Sequence, residues 1–192
     1  MTRVKICGLM TESDVSIVNE TKPDFAGLVF AKGRHHLNST QAEKLARQID
    51  SPITKVGVFV DTPANEIIEL SKRGIFTIAQ LHGYGDPQMI GELKVAGIKV
   101  IRVFVNEEPD NEYTADYKMI DSGYGSGRLL DISRYENLGD NTFVAGGLTP
   151  DNVNEVIEKL NPYAVDVSSG VETNNHKDFQ KVRQFIEKVR RD

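Results

Sequence analysis

Cys7 and Asp121 each combine a proton-transfer group with a terminal place on an otherwise apolar run, Val4-Lys5-Ile6-Cys7 and Tyr117-Lys118-Met119-Ile120-Asp121. A thiol and a carboxyl on opposite sides of one small molecule supply a base and an acid, the pair an isomerase needs. His82, just after Gln80-Leu81, is a third candidate. Two Gly-rich exits complete the set: Val144-Ala145-Gly146-Gly147-Leu148-Thr149-Pro150 and Ala164-Val165-Asp166-Val167-Ser168-Ser169-Gly170-Val171-Glu172. Each is an apolar run that breaks into small residues and exposes backbone N–H groups to an anion. Gly146, Gly147, Ser168, Ser169 and Gly170 are therefore candidate phosphate contacts, and the chain is expected to handle a small phosphorylated molecule. Thr149 is the expected N-cap of the helix that follows, with Pro150 at its first position.

These groups need a scaffold that gathers strand ends. Eight short apolar strands are expected: Val4–Cys7, Phe25–Phe30, Lys55–Val60, Thr77–Leu81, Lys99–Phe104, Tyr117–Asp121, Thr142–Ala145 and Ala164–Val167. Their starts lie roughly 18 to 30 residues apart, the length of a β-α unit. Helix signals fill most gaps. Thr11-Glu12-Ser13-Asp14 reads as a capping box. Thr62-Pro63 and Asp86-Pro87 open two more helices, and Val153, Val156, Ile157 and Leu160 mark the apolar face of another. Val182, Phe185, Ile186 and Val189 do the same for the last helix, with Lys177 and Asp178 read as its start. Between Phe104 and Tyr117 the chain is acidic and short of apolar residues, so the fifth helix is expected to be reduced or absent. The pattern predicts one α/β domain over residues 1–192, a small (β/α)8 barrel. An open doubly wound sheet is the alternative, but it usually carries its Gly-rich turn after the first strand, where Cys7-Gly8-Leu9-Met10 has one glycine.

In such a barrel the chemistry lies at the C-terminal strand ends, and the loops after strands seven and eight hold phosphate. Around a closed barrel these loops lie between strand six and strand one, hence between Asp121 and Cys7. Alternation puts Lys5 and Cys7 on one face. If that face is interior, Lys5 lies below the thiol and is expected to favour thiolate, with Asp166 as its partner. Arg34 and His35 follow the second strand in a basic loop, Lys32-Gly33-Arg34-His35-His36.

Totals narrow the class. The chain has 192 residues, 39% hydrophobic and 27% charged, with net charge −5 and one cysteine. One sizeable core fits that length. The acidic balance argues against a nucleic-acid partner, and no apolar run approaches the roughly 18 residues of a membrane span. One cysteine excludes an internal disulfide, and the first residues lack a leader's apolar stretch, so a reducing cytoplasm is expected.

The chain resembles the phosphoribosylanthranilate isomerase family of tryptophan biosynthesis along nearly its whole length. The resemblance rests on Val4-Lys5-Ile6-Cys7-Gly8, Phe25-Ala26-Gly27-Leu28-Val29-Phe30, Val56-Gly57-Val58-Phe59-Val60, Gln80-Leu81-His82-Gly83, Ile120-Asp121, Gly125-Ser126-Gly127, Gly146-Gly147-Leu148-Thr149-Pro150-Asp151-Asn152-Val153, and Val165-Asp166-Val167-Ser168-Ser169-Gly170-Val171-Glu172. It implies an Amadori rearrangement of N-(5-phosphoribosyl)anthranilate, with Cys7 as general base and Asp121 as general acid. It implies no cofactor and no metal, because the substrate nitrogen is the electron sink. A small phosphoribosyl substrate is the implied partner, and a monomer or homodimer the expected assembly.

Three departures stand out. The family's Ser-x-Arg after strand two is replaced by Gly33-Arg34-His35-His36, so Arg34 is the candidate for the anthranilate carboxylate and His35 its rival. Leu130-Asp131-Ile132 stands where the family often has Phe-Asp-Trp, and the chain has no Trp. The loop Ser122-Gly123-Tyr124-Gly125-Ser126-Gly127-Arg128 is short, with glycines that suit closure over a ligand.

Plainer roles exist for each residue. A lone cysteine is often a small buried hydrophobe, a strand-end aspartate often caps a loop, and His82 can serve only to orient one. Rival functions are another phosphosugar barrel enzyme, such as an epimerase or a synthase, and a non-catalytic phosphate-binding barrel. The epimerase would want metal-binding histidines and aspartates at strand ends, and the synthase lysine and glutamate there.

Overall fold

Eight parallel strands form a closed barrel in the order β1-β2-β3-β4-β5-β6-β7-β8. The structure, a computed structural model, describes residues 1–83, 86–105, 115–123 and 130–190. The strands are β1 (Arg3–Cys7), β2 (Phe25–Val29), β3 (Thr54–Phe59), β4 (Ile78–Leu81), β5 (Lys99–Val105), β6 (Tyr117–Asp121), β7 (Thr142–Val144) and β8 (Ala164–Val167). Every expected strand is present with ends within one residue of the sequence reading. Parallel strands of a barrel are buried on both faces and read as short apolar runs.

The two faces build two cores. Outward residues such as Val4, Ile6, Ala26, Leu28, Ala79 and Val165 pack under the helices. Inward residues Phe25, Val56, Ile78, Ile101, Val103, Met119, Phe143, Ala145 and Ala164 fill the barrel. Phe143 is its lower plug, with ring centroids 5.3 Å from Phe25, 5.6 Å from Tyr117 and 5.5 Å from Tyr163.

Helices α1 (Glu12–Thr21), α2 (Ser39–Ala46), α3 (Ala64–Lys72) and α4 (Pro87–Val95) follow the first four strands, and α5 (Val153–Leu160) and α6 (Phe179–Val189) the last two. Caps set their starts. Thr11 and Asp14 form the expected capping box. Asp86 accepts from the Met89 amide with Pro87 in the first turn. Thr62-Pro63 opens α3 as expected, with Pro63 at the N-cap and the Thr62 hydroxyl bonding the Val60 carbonyl. One start differs from expectation. After β7, the Thr149 carbonyl and hydroxyl hold a turn with Asn152 and Asp151, so α5 begins at Val153 with Asn152 as its cap.

The loop or single turn expected for the fifth helix falls on 106–114, outside the described residues. Among the described residues between β6 and β7, Asp131 caps a single 3-10 turn, Ile132–Arg134, and no α-helix is present.

One buried carboxylate ties the first and last connections together. Asp14 is 1% exposed. Its Oδ2 accepts from the Met10 and Thr11 amides at 2.8 and 2.9 Å, and its Oδ1 from the Lys177 amide at 3.1 Å. Removing it leaves three amides short of an acceptor, at about 1–3 kcal/mol for each group left buried and unbonded. Asp14→Ala should therefore lower unfolding free energy by at least about 2 kcal/mol in urea titration. A loss under about 0.5 kcal/mol would show that water replaces the carboxylate without cost.

Candidate active site

β1 and β8 pair in a register that sets Lys5 beside Asp166. Both side chains point into the barrel, as alternation from the strand ends requires. Lys5 is fully buried, and its Nζ lies 2.8 Å from Asp166 Oδ2. Cys7, one step up the same face, is buried and pairs with Gly27 of β2. A Cβ at Gly27 would lie 2.7 Å from Cys7 Sγ, so only glycine leaves the sulfur its space.

Burial pushes the Cys7 thiol up from its ordinary range. The Lys5 ammonium pulls the other way, Asp166 reinforces the rise and Lys177 opposes it. Burial wins, so the thiol is the resting form in the free chain. Lys5 favours thiolate as expected but does not prevail, because desolvation of the sulfur was not visible in the sequence.

Asp121 ends β6 two strands beyond β8, across the mouth from Cys7 in the order β6-β7-β8-β1. It is 9% exposed, and its Oδ1 accepts from the Gly123 amide at 3.2 Å. His82 Nε2 lies 3.9 Å from Asp121 Oδ2. Burial holds the His82 imidazole below its ordinary range, with Asp121 opposing, so the ring is neutral at pH 7. Cys7, Asp121 and His82 thus share one end of the barrel.

The loops after β6, β7 and β8 interlock through glycines. Gly146 has φ +99° and packs against Ser122, next to Asp121; a side chain there would strike the Ser122 hydroxyl. Gly147 has φ +64°, the left-handed region that disfavours other residues. Gly170 lies against the Leu148 carbonyl, too close for any Cβ. Asn152 braces the first loop, donating to the Gly147 carbonyl at 3.0 Å and accepting from the Thr149 amide at 2.8 Å. Among the described residues, the amides of Gly147, Ser169 and Gly170 meet no protein acceptor. Ser168 differs: its carbonyl and hydroxyl accept from Lys177 Nζ at 3.2 and 3.4 Å.

Glu172 organises the rest. After a 3-10 turn, Ser169–Val171, strands β9 (Glu172–Thr173) and β10 (His176–Lys177) form a small hairpin. Asn174 and Asn175, both at positive φ, make its two-residue turn. Three cations meet the Glu172 carboxylate: Lys177 at 2.7 Å, Arg34 at 2.7 Å and His35 at 2.8 Å when its ring is charged. Arg34 also donates to Asn175 Oδ1 at 2.7 Å. His35 lies over Gly8 and beside Ser168, and burial lowers its proton affinity. The sequence reading included Glu172 only as a motif member and took Lys177 for a helix start. Asp178 does cap α6, but Lys177 is a buried charge of the site. The chain fold brings Glu172 to residues 34 and 35, and no spacing signals that meeting. The loop 124–129, expected to close over a ligand, lies outside the described residues. Among the described residues, no three His, Cys, Asp or Glu side chains gather as a metal-binding group.

Burial would raise the Glu172 carboxyl, but bonds from Lys177, His35 and Arg34 overrule it and bring it to about 2. A depressed carboxyl adds stability above its unfolded value, near 4.5, and that contribution is lost as pH falls toward about 2. Melting temperature should therefore drop across that window, and Glu172→Gln should flatten the drop. An unchanged slope in the variant would remove Glu172 from the acid response.

The family model described as N-(5'phosphoribosyl)anthranilate (PRA) isomerase matches residues 4–188. An N-(5'-phosphoribosyl)anthranilate isomerase of Lacticaseibacillus casei is 47% identical over 192 residues, covering all of this chain and 96% of the relative. The phosphoribosyl anthranilate isomerase structure from Thermotoga maritima superposes with TM-score 0.87 at 28% identity, covering 98% of each chain. A second structure, an isomerase in complex with reduced 1-(o-carboxyphenylamino)-1-deoxyribulose 5-phosphate, gives TM-score 0.80 at 26% identity, also over 98% of each chain. With the closed barrel and the strand-end groups in place, these likenesses settle the affiliation: the chain belongs to the N-(5'-phosphoribosyl)anthranilate isomerase family.

Proposed function

We propose that Cys7 and Asp121 are the base and acid with which this isomerase of tryptophan biosynthesis performs its Amadori rearrangement. The carrying observation is their placement at the ends of β1 and β6, flanking the two loops whose amides stand open. Phosphate on Gly146, Gly147, Ser169 and Gly170 leaves the ribose between thiol and carboxyl. Ser168 supports that floor through its bonds with Lys177.

Asp121, as the acid, protonates the ribose ring oxygen while the C1′–O bond breaks, and the anthranilate nitrogen supplies the electron pair that makes the Schiff base. Cys7, having lost its thiol proton to solvent, then takes the C2′ proton as thiolate. The C–H electron pair moves into a C1′–C2′ double bond, and the iminium electrons return to nitrogen. The enolamine so formed relaxes to the ketone by losing its hydroxyl proton and gaining one at C1′. Each proton-transfer group is expected to contribute about 10²–10⁴ in rate, roughly 3–5 kcal/mol of barrier. His82, neutral and 3.9 Å from Asp121, orients the acid.

The anthranilate carboxylate falls to Arg34 rather than to His35. Arg34 is 40% exposed, always charged, and suited to bidentate binding. His35 is more buried, and its lowered proton affinity leaves it a weaker cation. A free thiol at the centre suits a reducing, cytoplasmic setting. Among the described residues, no helix is long and apolar enough to cross a membrane. Residues 1–192 act as one domain, as a monomer or a homodimer.

Cys7→Ala and Asp121→Asn should each fold and each lose at least about a hundredfold in kcat, read by substrate fluorescence. Near-wild-type kcat in either variant would strip that residue of its role. Ser169→Asp puts a negative charge at the exposed start of the β8 loop, without left-handed strain. It should raise KM at least about tenfold with kcat within about threefold, while Ser169→Asn stays near wild type. An unchanged KM would move the phosphate elsewhere.

A further inference from the structure

We propose that Lys5 is a positioning residue of this isomerase: its ammonium, pinned by Asp166 on the inward face that Cys7 shares, holds the thiolate that takes the substrate proton, and Asp166 sets how much of that charge the sulfur receives. The proposal rests on the reading of Cys7 as the base.

Lys5 is an expensive residue where it stands. It is fully buried inside the barrel, and taking an ammonium out of water costs several kcal/mol. An apolar side chain of similar length would fill the space without that cost. The pair with Asp166 is also not a closed structural pair. Asp166 Oδ1 is buried without a hydrogen-bond partner, so the carboxylate is under-bonded. Lys5 in turn bonds Asp166 at 2.8 Å and stands two residues before Cys7 on the same inward face of β1, so its charge bears on the sulfur as well. A charge pair kept only for stability would satisfy its own oxygens first.

The surroundings name few other influences on the sulfur. From β1 it faces Lys5, and from β8 Asp166. From β10 it feels Lys177. β2 contributes Gly27, which carries no charge. His35 of the β2 loop lies over the neighbouring Gly8. Asp121 acts on Asp166, and His82 responds to both Lys5 and Asp166. Burial raises the thiol, Lys5 lowers it and Asp166 raises it. The two partners therefore act on Cys7 in opposite directions, so removing each charge alone should move the thiol oppositely.

That opposition gives the test. Iodoacetamide alkylation of the single cysteine, followed against pH on the folded enzyme, reports the thiol midpoint without requiring turnover. Lys5→Met should move the midpoint up by about one unit or more, a tenfold loss of thiolate at a given pH. Asp166→Asn should move it down. The double variant Lys5→Met/Asp166→Leu removes both charges at similar volume and should keep the melting temperature. It should still raise the midpoint and lose at least about tenfold in kcat with KM little changed. A double variant with wild-type midpoint and kcat overturns the proposal, as do single variants that shift in the same direction. Cys7→Ala separates the two ideas. If it is inactive while the Lys5 and Asp166 variants titrate like wild type, only the role of Lys5 falls. If it keeps its turnover, the base itself is misassigned.

Discussion

The barrel closes where β8 meets β1, and at that seam two opposite charges are buried side by side. Lys5 and Asp166 stand in register, 2.8 Å apart, inside a barrel lined largely by apolar side chains. Neither charge survives there without the other, since desolvation would cost several kcal/mol apiece. The closure is therefore written in electrostatics as well as in strand ladders. Everything above the pair inherits its place: Cys7 is the next inward residue on β1, and Ser168 follows two residues after Asp166. A small change of register at this seam would turn both strands' polar residues out of the barrel.

Glycine supplies the second constraint, and it acts through exclusion. Gly27 clears space for the Cys7 sulfur, Gly146 for Ser122, and Gly170 for the Leu148 carbonyl. The loops after β6, β7 and β8 approach so closely that no side chain fits between them. Among the described residues, the Gly147, Ser169 and Gly170 amides of these loops meet no protein acceptor. A phosphate is a suitable occupant because it brings negative charge and several oxygens to such donors. Glu172 works on the other flank. It draws Lys177, Arg34 and His35 to one carboxylate and so joins the β2 loop to the β8 loop.

The helical layer follows a looser rule. Sequence signals announce the helices after five strands, through Thr11 and Asp14, Thr62-Pro63, Asp86-Pro87 and the apolar stripes of α5 and α6. Among the described residues between β6 and β7 the layer is one 3-10 turn, where Leu130, Ile132 and Tyr135 still join the outer core. A barrel tolerates this because its strands hydrogen-bond to each other whether or not a helix covers each pair. The ends of the strands, where the chemistry lies, are fixed by the sheet.

Local signals were enough for much of this. Short apolar runs at β-α spacing marked eight strands, since a parallel barrel strand is buried on both faces and can only be apolar. Strand ends then marked Cys7, His82 and Asp121, and small residues marked the loops around Gly146 and Ser169. Period-two alternation predicted that Lys5 and Asp166 would face inward and meet. Tertiary structure alone decided what those meetings do. It decided that burial keeps Cys7 a thiol in the free chain despite Lys5, because desolvation depends on everything packed around the sulfur. It also decided that Glu172 would collect cations from residues more than a hundred positions away, and that Thr149 would hold a turn instead of capping α5. Sequence records which groups a chain owns and their local periodicity; distance, shared hydrogen bonds and loss of water arise only when remote segments close on one another.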